Sequence, residues 1–117
     1  MNELLRMVLD SNPNAPVMVI FGGSPHRMNE VISHIKQVGG ITVYGAFSEE
    51  EGLALLNTHP NLQLVLIGGR YTNEQRVRIR NHVANNLPNT KLTEPGHDYP
   101  YDNNFILKDI KEKLGII

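Results

Sequence analysis

Val17-Met18-Val19-Ile20-Phe21-Gly22-Gly23-Ser24-Pro25 is an apolar run that ends in two glycines and then in a helix start. The run is apolar on both faces and partly β-branched, the pattern of a central parallel strand covered from both sides. Serine is a strong N-cap and proline is favoured at the first helical position, so Ser24-Pro25 opens a helix. The unit recurs: Leu64-Val65-Leu66-Ile67 runs into Gly68-Gly69, and Thr72 with Gln75 then forms a capping box. In open parallel sheets, the carboxyl ends of strands are where sites are built. Both of these strand ends offer bare backbone in place of side chains.

The rest of the chain follows the same alternation. Met28, Val31, Ile32, Ile35 and Val38 form one helical stripe, closed by Gly39-Gly40. A strand over about 41–44 leads to Ser48 and Glu51, a second capping box, and to a helix with Leu53, Leu55 and Leu56 that stops before Pro60. After the strand at 63–67, Ile79, Val83 and Leu87 mark a helix ending at Pro88. A short strand at 90–93, a loop at 94–102 and a helix at 103–114 capped by Gly115 complete the chain. At the other end, Leu4, Leu5, Val8 and Leu9 recur at helical spacing, which predicts a helix over 3–10 stopped by the proline-rich 11–16. The order is a helix followed by four strand–helix units. This predicts an α/β fold: one domain over 1–117, a three-layer doubly wound parallel sheet of about four strands in order 2-1-3-4, with the extra N-terminal helix beside helix 25–38. The two glycine turns then belong to neighbouring strands at the switch point and line one crevice.

Composition excludes several classes. The 117 residues are 40% hydrophobic and 20% charged, with a net charge of −1, so no global field attracts nucleic acid or an acidic membrane. There is no cysteine, which excludes disulfides, thiolate chemistry and cysteine zinc sites and fits a reducing cytoplasm. No apolar run reaches the roughly 20 residues of a membrane span, and Glu3, Arg6 and Asp10 interrupt any signal-peptide pattern.

The candidate site is the pair of turns. In the first, Gly22 and Gly23 let backbone N–H groups approach an anion, Ser24 offers a hydroxyl, and His26 and Arg27 add charge. In the second, Gly68 and Gly69 precede Arg70, suited to clamp a carboxylate or phosphate, and Tyr71, suited to seal a crevice. The same residues also suffice for two plain strand-to-helix turns. The 94–102 loop adds His97, a candidate base or ligand beside Asp98 and Asp102. No second histidine stands at ligand spacing, so neither a metal nor a catalytic residue is expected. Arg76, Arg78 and Arg80 spread around their helix and read as a solvated surface.

The stretch ALLNTHPNLQLVLIGGRY, residues 54–71, resembles the helix-two-to-strand-three segment of response-regulator receiver domains, and LPNTKLT, residues 87–93, is similar to their approach to strand four. Thr93 takes the place of the family's hydroxyl residue. The resemblance covers roughly the middle third of the chain. Gly68 occupies the phosphoacceptor position, Gly22-Gly23 the place of the acidic pair, and the fifth strand with its lysine is missing. Without those carboxylates a hard cation lacks oxygen ligands and no acyl phosphate forms. The resemblance therefore implies a degenerate receiver that works without phosphorylation. A second, shorter one runs from Gly23 through Ser24, Pro25, His26 and Arg27 to Asn29, similar to the phosphate-binding turn of flavin reductases of the flavodoxin-like fold, with His26 where arginine is usual.

The leading expectation is a non-catalytic, receiver-like signalling or interaction module without a cofactor. It meets a protein partner or a second copy of itself, with a small anion at the crevice. The alternative is a small flavodoxin-like enzyme or nucleotide binder holding FMN by its phosphate.

Overall fold

The structure, a computed structural model, describes residues 6–59 and 61–116. Nine elements follow one another: β1 (Met7–Val8), β2 (Val17–Phe21), α1 (Pro25–Val38), β3 (Thr42–Ala46), α2 (Glu49–Thr58), β4 (Leu64–Ile67), α3 (Asn73–Asn86), β5 (Lys91–Thr93) and α4 (Asn103–Leu114). The N-caps stand where the sequence puts them, but the expected Ser48–Glu51 capping box is not reciprocal: the Glu51 carboxylate accepts from the Phe47 amide and from Arg6 instead of the Ser48 amide. Ser24, Ser48 and Thr72 each accept the N3 amide of their helix, and Thr72 and Gln75 close a reciprocal capping box. Gly115 ends α4 in the left-handed region, at φ 72°.

The sheet has five strands in the order β1-β3-β2-β4-β5 and is mixed. This corrects the expectation of an all-parallel four-stranded sheet in order 2-1-3-4 with an N-terminal helix. Residues 3–5 of that expected helix lie outside the described residues, but Met7 and Val8 pair antiparallel with Tyr44 and Val43. The physical reason is the open edge of β3. There the N–H of Gly45 donates to the carbonyl of Arg6, and the N–H of Asp10 to Oγ1 of Thr42. The Asp10 carboxylate then accepts the amides of Asn12 and Gly40. These bonds fix the segment extended, against the helical spacing of its leucines. The parallel strands β3, β2, β4 and β5 continue from that edge.

Strand side chains alternate between two apolar layers. Met18 and Ile20 of β2 and Leu64 and Leu66 of β4 meet α1 and α4, through Ile32, Ile35, Ile106 and Ile110. Val19, Phe21, Val65 and Ile67 face the other way, onto Leu56 of α2 and Ile79 and Val83 of α3. The expected partner of α1, an N-terminal helix, is therefore replaced by α4, and Val8 of β1 adds to the same layer. No helix among the described residues is long and apolar enough to cross a membrane.

Candidate functional site

β2 and β4 are neighbours, and their last residues are in register as Phe21 and Ile67. The turns that follow therefore stand side by side. Gly22 and Gly68 still belong to the ladder: their N–H groups donate to Ala46 and Phe21 carbonyls, both at 2.8 Å. Gly23 and Gly69, one residue further, keep N–H groups without a partner among the described residues. Between the turns lies a cavity of about 260 Å³. Its rim is Gly22, Gly23, Ser24, Gly68, Gly69 and the two arginines, Arg27 and Arg70; its floor is apolar.

The arginines differ. Arg27 is engaged: it pairs with Glu30 at 2.8 Å, donates to Asn103 at 3.3 Å, and lies over the ring of Tyr101, 4.6 Å from its centroid. Arg70 is exposed, and among the described residues its guanidinium has no hydrogen bond or ion pair. Its aliphatic stem lies along Gly23, where an added Cβ would meet Cδ at 3.0 Å. Arg70 is thus the unneutralised cation at the mouth.

Three of the residues proposed from the sequence are elsewhere. His26 is exposed on the first turn of α1 and does not line the crevice. Tyr71 is 8% exposed and packed edge-on against Phe21, its hydroxyl pointing back to the Gly22 carbonyl at 3.4 Å. Burial first, then the charges of Glu49 and Glu51, push that hydroxyl up to about 12, so it stays a neutral strut behind the crevice wall. His97 is exposed beside Asp98 and Arg80. Conversely, Tyr101 lines the crevice from the 94–102 loop, its ring against Gly69 and Gly96. The sequence places it in the 94–102 loop but carries no signal for the direction in which that loop folds.

The basic run on α3 also needs correction. Arg76 is 4% exposed, not solvated. It donates to the Gly68 carbonyl at 2.8 Å, the Tyr71 carbonyl at 3.3 Å and Glu94 at 2.8 Å. Arg80 forks onto the same Glu94, and Arg78 forks onto Glu49. Burial alone pushes the Glu94 carboxyl up; hydrogen bonds from Arg80 and Arg76 overcome it and hold the group below its ordinary range. Glu94, His97 and Asp98 offer ligand atoms within 4.8 Å of one another. Glu94 is already saturated by two guanidiniums, whose charge opposes a metal cation there.

Behind the loop, Thr93 bonds Tyr99 at 2.6 Å and also Asp109, fixing the loop's base to α4. No family model, no curated protein and no solved structure matches this chain.

Proposed function

We propose that this chain is a non-catalytic, receiver-like binding module that takes a small anionic molecule between its two glycine turns and signals occupancy through protein contacts. The observation that carries the reading is Arg70, a cation without a counter-charge among the described residues, at the mouth of a cavity lined by Gly23 and Gly69, whose amides have no partner among the described residues. Tyr101 suits the second half of the reading, because it lines the crevice and is also 41% exposed, where a partner can sense it. The cavity, about 260 Å³, lies under the roughly 300–1,000 Å³ of drug-sized pockets, which favours a small ion over FMN.

The test is a thermal-shift screen of the wild type and Arg70→Ala with acetate, sulfate, phosphate, AMP and FMN. A ligand at a hundredfold excess over Kd adds about 2.7 kcal/mol, a shift of several degrees for a chain of this size. The expected result is a shift with an anion in the wild type that is lost in Arg70→Ala. Silence toward every anion would reduce the turns to plain connections, and a yellow protein or a shift with FMN alone would favour the flavin alternative.

A further inference from the structure

We infer that the molecule taken by the crevice is a small monocarboxylate with a compact apolar body, rather than a phosphate ester or a nucleotide. This deepens the binding reading above and rests on it. The floor of the cavity is the first ground. Ile20 and Leu66 are register partners on β2 and β4, and Met28 and Val31 of α1 face the same cavity. All four are at most 5% exposed, none carries a hydrogen-bond donor on its side chain, and the one acceptor is the weak thioether of Met28. A ribose hydroxyl or a base amide pushed into that floor would surrender its water without a replacement partner. A methyl-bearing or aromatic body gives up nothing there and removes apolar surface from water.

The rim is the second ground. A phosphate cradle takes several free amides from a helix N-terminus, and α1 has few to give. Pro25 has no N–H, the amide of Arg27 is taken by Ser24 Oγ, and that of Met28 by the Ser24 carbonyl, which leaves the His26 amide alone in the first turn, on a residue that does not line the cavity. Arg27 is itself neutralised by Glu30. What remains at the rim, among the described residues, is one unneutralised guanidinium, Arg70, with the unpartnered amides of Gly23, Ser24, Gly69 and Arg70. One negative charge on a planar, two-oxygen head matches that set: Arg70 receives the carboxylate through its fork, and the glycine amides fill the remaining lone pairs. Among the described residues, no carboxylate side chain lines the cavity to repel it.

The experiment is a titration of the ¹⁵N-labelled 117-residue chain with acetate, butanoate, 4-methylpentanoate and 3-phenylpropanoate, against 3-phenylpropanamide, inorganic phosphate and AMP. Affinity should rise about fourfold per buried methylene along the carboxylates. The amide should bind at least tenfold more weakly than its acid, with the largest shifts at Gly23 and Gly69. Arg70→Ala should weaken 3-phenylpropanoate at least tenfold. Val31→Phe, whose ring enters the floor, should abolish the gain from chain length; if that variant does not fold, the chain-length series in the unmodified protein decides alone. A flat carboxylate series with binding of phosphate or AMP overturns the ligand class and leaves the anion site standing. Equal affinity for acid and amide overturns the role of the charge. No response to any compound overturns both the class and the site.

Discussion

Nη1 of Arg76 stands 2.8 Å from Oε1 of Glu94, and the two residues are 4% and 5% exposed. The pair ties the turn after β4 to the start of the 94–102 loop, because the same guanidinium also holds the Gly68 carbonyl. Removing one partner of a buried pair typically costs about 3–5 kcal/mol, since the other charge is left uncompensated. Glu94→Gln should therefore lower the unfolding free energy by about 3 kcal/mol at pH 7. The pH dependence has a definite sign. The folded-state carboxyl lies below its unfolded value, so its contribution is full above about pH 4.3 and is lost as pH falls through the folded value. The gap between wild type and Glu94→Gln in urea unfolding should shrink on acidification; a gap constant down to pH 3 would contradict this.

Gly68 has no room for a side chain. A Cβ there would lie 2.9 Å from the Phe21 carbonyl oxygen, a backbone atom already receiving the Gly68 amide. Gly68→Ala should cost about 1–3 kcal/mol through strain in a packed strand end. At Gly69 the added Cβ meets only Tyr101, at 3.7 Å, so Gly69→Ala should stay within about 0.5 kcal/mol of wild type. Chemical denaturation of the two variants side by side checks the contrast.

With glycine at position 68 and at positions 22 and 23, there is no carboxylate to phosphorylate or to hold magnesium at these strand ends. Incubation with acetyl phosphate and magnesium should leave the intact mass unchanged. A hydroxylamine-labile phosphoryl adduct would refute the phosphorylation-independent reading.

Asp10 anchors the antiparallel edge by accepting the amides of Asn12 and Gly40. Asp10→Ala removes two charge-assisted bonds at a solvated site and should cost about 1–2 kcal/mol. The melting temperature reads this directly, and an unchanged value would mean that the edge strand is held by its ladder bonds alone.

Most of the parallel sheet was legible because its signals are local. The apolar runs, the Ser24, Ser48 and Thr72 caps and the glycine pairs each report on their own few residues. Their adjacency follows from the handedness of crossovers, which brings Gly22 and Gly68 to one crevice. What escaped depends on distant partners. β1 is two residues long, too short for a strand period, and its conformation is set by pairing with Tyr44 and Val43 across the sheet. Arg76 looked like its neighbours Arg78 and Arg80; only Glu94, eighteen positions away, makes its burial possible. Tyr101 reached the crevice because the 94–102 loop doubles back over Gly69, a direction with no local code.

The two walls of the crevice are mechanically unequal. The wall after β4 is braced by Arg76, with short bonds to Gly68 and Glu94. The wall after β2 has no such buried charge: the Gly22 amide donates to the Ala46 carbonyl at 2.8 Å and the Ser24 carbonyl takes the Met28 amide at 2.9 Å, and between them Gly23 makes no hydrogen bond among the described residues. One jaw is clamped by a buried charge and the other by backbone bonds on either side of Gly23, so adaptation to the shape of an occupant falls to Gly23.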